Sequence, residues 1–278
     1  MSIVIYVKVS EGIVLAADSA ATIAGEVVGP DGKRQAGVLK VFYNSTKLSQ
    51  ILNLPVGVLT WGLSQLEMRT ISSLIEQCAT EKVSKLPGLA NKNVSPAYTV
   101  REIADEISKF MTPLYENAMQ TTPKGIQKSE LGIIVAGYSS GEFFPEEWRQ
   151  VFPSEKGMVR LRPDLGPGRP NFGANWYGMS DTIVRMYLGY DKRLIGFLKK
   201  EGWSNDKIQN FVKQLEYQVV FPGMPLQDAI DFACFLVDTT TKMQHFAVGA
   251  EQVGGPIQLA SITHEKGFKM VELSSNVA

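Results

Sequence analysis

Cysteine and histidine are scarce in this chain, with two of each among 278 residues. Cys78 and Cys234 lie far apart in predicted helices and form no CxxC pair, so a disulfide framework or a thiolate metal site is not expected and both read as buried thiols. His245 and His264 stand in no metal-ligand spacing, and no GxSxG elbow accompanies them, which sets aside a zinc centre and a histidine-based hydrolase elbow. Net charge is missing too: 28 basic residues balance 28 acidic ones, so nothing points to nucleic acid or an anionic membrane as a partner. The longest apolar runs are strand-sized, and the first residues lack the basic region and long apolar core of a signal peptide, so a cytoplasmic location is expected. GPDGKR lacks the spacing and trailing Ser/Thr of a phosphate-binding loop. No repeat or low-complexity segment is visible, and nothing calls for a cofactor or a metal.

What is present is apolar patterning. Hydrophobic residues make up 44% of the chain, enough to bury one large core, and residues 1–278 are expected to form a single domain. The first 22 residues, MSIVIYVKVSEGIVLAADSAAT, organise the rest. Ile3 to Val9 and Ile13 to Ala17 are apolar runs around the turn Ser10-Glu11-Gly12, a hairpin that returns Asp18 towards the start of the chain. With Met1 removed, Ser2 becomes a hydroxyl carrying its own α-amine, a base whose ordinary pKa is about 7.7–8.0.

Ile23 to Ala36, with the turn cluster GPDGKR, is expected to be an exposed hairpin or loop. Val38 to Tyr43, Lys47 to Ile51 and Val56 to Thr60 read as strands that join the first hairpin in one sheet. The spacing of Leu66, Ile71, Leu74, Ile75 and Cys78 predicts an amphipathic helix over 66–83, beginning just beyond Gly62, and a second over 99–119 that Pro113 bends or ends. A polar linker, 120–130, leads to an apolar strand, Leu131 to Tyr138. The aromatics of GEFFPEEW (Gly141 to Trp148) suit a binding surface or, more commonly, packing. Strands over 148–152 and 158–161, a Pro/Gly-rich loop over 163–173, helices over 178–188, 194–200, 205–219 and 226–243, and a closing hairpin complete the reading. This mixture is α+β.

The strand-turn-GIVLAADSAAT pattern, Lys47-Leu48, the strand VGVLTWG (Val56 to Gly62) and the tail GGPIQLASITHEKGF (Gly254 to Phe268) resemble the proteasome β-subunit family of N-terminal nucleophile hydrolases and its bacterial relatives. That resemblance implies a four-layer α-β-β-α sandwich, with insertions somewhere within 148–218. It places Ser2 at the position of the catalytic threonine, Asp18 at the conserved acid, Lys47 at the catalytic lysine and Gly62 at the oxyanion-hole donor. Thr22 would clamp the backbone of an extended peptide, and Ala21, Ser45, Ser49, Thr60 and Ser64 would line the pocket for the residue before the cleaved bond. The sequence departs from the family near Gly254-Gly255, where Ala250, Glu251 and Val253 replace an aspartate and serines that support the nucleophile. Ser180-Asp181 stands in for a further turn there.

Each residue also has a plainer role. Ser2 is common after an initiator methionine, Asp18 and Lys47 could be an ordinary ion pair at a sheet end, Lys40 rivals Lys47, Gly62 suits any strand-to-helix corner, and Ser180 suits a helix N-cap. The expected function is a peptidase subunit cutting peptides or unfolded proteins through Ser2, assembled as a homo-oligomeric ring, with any unfoldase partner unknown. The alternatives are a non-catalytic ring subunit and an amidase acting on a small amide.

Overall fold

The computed structural model describes residues 2–28, 34–91, 95–120, 129–248 and 251–272. Met1, the tip of the GPDGKR turn, most of the 120–130 linker and Ala250 lie outside the described residues.

β1 (Ile3–Val9) and β2 (Gly12–Ala17) are joined by Ser10-Glu11, and Val9 faces Gly12 across the tight turn. Every residue of both strands is buried, as expected of strands covered on both faces. β3 (Ala21–Val28) and β4 (Arg34–Phe42) follow, then β5 (Leu48–Gln50), β6 (Val56–Gly62), the short pair β7 (Gln65–Leu66) and β8 (Arg69–Thr70), and α1 (Ile71–Glu81). After a 3-10 turn come α2 (Pro87–Ala90), α3 (Val100–Ala118), β9 (Leu131–Gly137), β10 (Glu146–Phe152), β11 (Val159–Leu161) and β12 (Gly173–Gly178). α4 (Asp181–Ile183), α5 (Arg193–Lys200), α6 (Asn205–Lys213), α7 (Leu226–His245), β13 (Gln258–Thr263) and β14 (Gly267–Met270) complete the chain.

One five-stranded sheet runs β12-β1-β2-β13-β14 and a second runs β11-β10-β9-β6-β5. The alternation of side chains along each strand builds three cores from these two sheets. On β1, Ile3, Ile5, Val7 and Val9 pack under α7, while Val4 and Tyr6 point between the sheets to meet Leu59, Trp61 and Ile134. On the second sheet, Val56, Val58, Ile133 and Val135 pack against α1 and α3 through Ile75, Ile103 and Ile107. Helix, sheet, sheet, helix is the four-layer α-β-β-α sandwich that the resemblance implies.

Several sequence expectations are corrected. The strands up to residue 60 do not form one sheet with the first hairpin: β5 and β6 belong to the second sheet, and β3 with β4 forms a separate two-stranded ribbon. No helix starts directly after Gly62. The β7–β8 pair intervenes, and α1 begins at Ile71, where Thr70 caps it by accepting from Ser73 N–H. Pro113 neither ends α3 nor stops it short, because the helix continues to Ala118 from a capping box formed by Thr99 and Glu102. Gly178 closes a strand rather than opening a helix: β12 pairs with β1 from Gly178 opposite Ile3 to Gly173 opposite Lys8. GANWYG carries no clean alternation and follows a Pro/Gly-rich stretch, so only its partner strand reveals it. The helix expected over 205–219 stops at Lys213. Histidine plays packing and surface roles: His264 stacks on Phe143, and His245 bonds Glu251.

Lys8 on β1 and Glu147 on β10 form an ion pair between the sheets, 3.1 Å long, with both side chains fully buried. Burial pushes the Glu147 carboxyl up to about 7, against the pull of Lys8. A carboxyl raised above its unfolded value favours the fold when protonated, so this contribution is complete below pH 4.5 and fades as pH rises through 7. Removing Lys8 strengthens that dependence. Urea unfolding of Lys8→Met is expected to show a loss of about 3–5 kcal/mol near pH 8 and a smaller loss near pH 5, while Lys8→Met/Glu147→Leu recovers most of it at both. An equal loss at both pH values would contradict this account.

Candidate active site

The site forms where the start of β1, the end of β2, the approach to β5 and the end of β6 meet at one edge of the two sheets. Register puts them there. Val4 faces Ala17 across the first hairpin, so Asp18 lies beside Ile3, and Asp18 N–H donates to the Ile3 carbonyl at 3.2 Å. The Asp18 carboxylate is fully buried and would be costly there without partners. It has four: Oδ1 accepts from Ile3 N–H at 3.0 Å and Lys47 Nζ at 2.6 Å, and Oδ2 accepts from Ala20 N–H and Gly254 N–H, each at 3.1 Å. Asp18 thus fixes the peptide that follows Ser2, the cation Lys47 and the closing glycine turn at once.

Lys47 is only 6% exposed. Burial lowers its pKa from the ordinary lysine value, and Asp18 pulls it back up. Its backbone is held separately: the Gln258 Oε1 accepts from Lys47 N–H and Leu48 N–H, while Gln258 Nε2 donates to the Ser45 carbonyl. Lys40, the rival, is exposed on β4 and sits over the Phe42 ring.

Ser2 is 4% exposed and is seated by β12. Met179 N–H donates to the Ser2 carbonyl at 2.8 Å, and Gly178 adopts φ +86° so close that a Cβ would lie 2.0 Å from that oxygen. Only glycine fits there. Gly62, at φ +88°, is equally constrained: a Cβ would meet the Glu130 carbonyl oxygen at 2.1 Å, and Leu63 N–H donates to the same oxygen.

Two connected hollows open at this edge. The smaller, about 20 Å³, is bounded by Ser2, Ala21, Thr22, Ser45, Lys47, Thr60, Gly62 and Ser64. The larger, about 720 Å³, shares Ser2, Thr22, Gly62 and Ser64 and extends to Ile23, Val38, Gln65, Glu130 and Gln252. The structure therefore gathers every residue anticipated for the site except two. Asp18 stands behind Lys47, and Ser49 faces a different hollow with Gln50, Ser72 and Glu76. β3, which carries Ala21 and Thr22, pairs with β4 and with no other strand among the described residues.

Around Gly254-Gly255 the support reaches Asp18 rather than Ser2. Ser180 occupies an N-cap position without capping, and its hydroxyl accepts from Lys192 Nζ. Sequence reasoning missed Trp61, Glu130, Gln252 and Gln258. Gln258 left one signal, a polar side chain in the otherwise apolar run PIQLA. Glu130 left none, since it closes a polar linker.

No protein-family model matches the chain, and no curated protein matches it. Among solved structures it is similar to a Gly-1 mutant of Anbu from Hyphomicrobium sp. strain MC1, with TM-score 0.53, 14% identity, and coverage of 98% of this chain and 85% of that one. It is also similar to Anbu, described as an ancestral beta-subunit, from Yersinia bercovieri, with TM-score 0.50, 12% identity, and coverage of 97% and 86%. These likenesses establish the fold. They also correct the resemblance drawn from sequence: the chain matches no proteasome β-subunit profile, and its structural neighbours are Anbu proteins. The matching motifs sit in the N-terminal hairpin, the Lys47-to-Gly62 segment and the tail from Gly254 to Phe268, which leave the long middle of the chain unconstrained.

Asp18→Asn is expected to cost about 3–5 kcal/mol in urea unfolding, because its NH2 group would face two of the four existing donors, its oxygen could serve only the other two, and the charge opposite Lys47 would be lost. A loss under about 1 kcal/mol would mean that Asp18 does not organise this edge.

Proposed function

We propose that this protein is an N-terminal nucleophile peptidase with an Anbu-like fold, acting through Ser2 after removal of Met1. The observation that carries the reading is the shared crevice of Ser2, Lys47 and Gly62, with Lys47 and the Ile3 peptide tied to one buried carboxylate. A serine hydroxyl needs a base within reach, and an α-amine on the same residue meets that need by covalent geometry. The amine takes the hydroxyl proton as Oγ attacks the peptide carbonyl carbon. The Lys47 cation favours the neutral amine, and Gly62 N–H holds the developing oxyanion. The amine then passes the proton to the leaving nitrogen, and water, activated by the same amine, releases the acyl group and restores Ser2. Substrate backbone adds to β3 at Thr22 on the edge away from β4, with Ala21, Ser45, Thr60 and Ser64 around the neighbouring side chain.

Assembly into a homo-oligomeric ring belongs to the same proposal. Exposed Phe197, Tyr217, Phe221, Phe235 and Phe246 give it apolar surface to bury. Among the described residues no helix is long and apolar enough to cross a membrane.

Intact mass of the native-start protein, before and after a peptide epoxyketone or β-lactone, tests the reading. Loss of Met1 and one adduct mapped to Ser2, absent in Ser2→Ala, is the expected result. Retained Met1 would instead support a non-catalytic subunit, and turnover of small amides without peptide cleavage would support an amidase.

Lys47 gives a second test. Lys47→Met should lower kcat/KM about 100-fold or more. In the wild type, activity should fall at alkaline pH as Lys47 loses its proton below the ordinary 10.5. Lys47→Arg, if it retains measurable activity, should remove that limb; an unchanged alkaline limb would assign it to another group.

A further inference from the structure

The larger hollow contains one charged side chain among its described lining residues, and the peptidase reading gives that residue no role. Glu130 ends the segment before β9 and is pinned at both ends. Its carbonyl oxygen accepts from Leu63 N–H at 2.9 Å, and its Oε1 accepts from Trp61 Nε1–H at 2.8 Å. Trp61 is in turn fixed by stacking on Tyr177, with ring centroids 4.8 Å apart. The bond from Trp61 places the exposed carboxylate beside the strand that ends in Gly62, and part of its side-chain freedom is lost before a ligand arrives. A carboxylate can accept about four hydrogen bonds, so the bond from Trp61 leaves capacity towards the hollow. The other described lining residues are uncharged, with Thr22, Ser64, Gln65, Ser129 and Gln252 supplying polar atoms. Lys47, the charge bounding the adjoining crevice, is already matched by Asp18. Among the described residues, the hollow that Ser2 lines thus presents one negative charge without a cationic partner.

We propose that Glu130 is a specificity-determining residue that selects peptides with a lysine or arginine side chain close to the cleaved bond. The proposal rests on the peptidase reading for its substrate but not for its electrostatics. A cationic side chain entering a hollow of about 720 Å³ places its aliphatic stem along Ile23 and Val38 and its charge at Glu130. An acidic side chain meets repulsion there.

Two measurements on the assembled protein separate this inference from the reading beneath it. In the first, blocked fluorogenic peptides carry lysine, norleucine or glutamate in turn at each of the three positions before the scissile bond. Lysine should exceed norleucine in kcat/KM by about tenfold at one position and low salt, with glutamate lowest. The preference should shrink as salt screens it, because the hollow is open to solvent. Glu130→Gln keeps an acceptor for Trp61 and removes the charge, so it should bring the lysine-to-norleucine ratio close to one. In the second measurement, calorimetric titration follows binding of uncleavable lysine and norleucine peptide analogues to the wild type and to Glu130→Gln.

Turnover that depends on Ser2 but shows no lysine preference overturns the role of Glu130 and leaves the peptidase reading standing. Absence of turnover, with lysine-selective binding that Glu130→Gln abolishes, overturns the peptidase reading and sustains Glu130. Equal binding of both analogues, or a preference that survives Glu130→Gln, overturns the inference.

Discussion

The Asp18 carboxylate is the constraint on which the rest of the site depends. It is a buried charge with four donors drawn from the start of β1, the turn after β2, the approach to β5 and the turn before β13. A carboxylate in that position is tolerable only if all four arrive together, so the charge makes their relative placement cooperative. The sandwich supplies the stiffness that this arrangement needs. β1 and β2 are buried on both faces, and their register can slip only by turning core residues towards the wrong layer.

The two buried ion pairs divide the labour differently. Lys8–Glu147 joins the sheets deep inside, where an apolar pair of similar volume would serve the fold at least as well. Lys47–Asp18 sits at the edge, where the cation borders the crevice shared with Ser2. Its depressed lysine pKa follows from burial, which Asp18 offsets only in part. A surface pair of the same residues would keep lysine close to its ordinary value.

How much of this was legible in the sequence depends on range. The first hairpin was, because apolar runs flank Ser10-Glu11-Gly12 and the turn fixes where Asp18 lands. So were α3 and β9, where long periodic or continuous apolar runs leave few choices. The partition of strands between two sheets was not, since strands that are buried on both faces read alike wherever they pair. β12 escaped for a related reason: its evidence is the partner strand β1, far away in sequence. At the site, the positions of Lys47 and Gly62 came from the family resemblance, whereas Glu130 reaches Trp61 across 69 positions and carries no local mark. The family resemblance read the hairpin well and over-reached in extending a family's identity to a chain that shares a fold at 12–14% identity.

Chain ends usually fray, and their amides exchange with solvent long before the core opens. Here the strand directly after Ser2 is wedged between β12 and β2 and covered by α7 on one face and the second sheet on the other. Residues 3–9 should therefore rank among the slowest-exchanging amides of the molecule. The geometry around Ser2 would then persist until global unfolding, so that heat removes the fold and the site in one step.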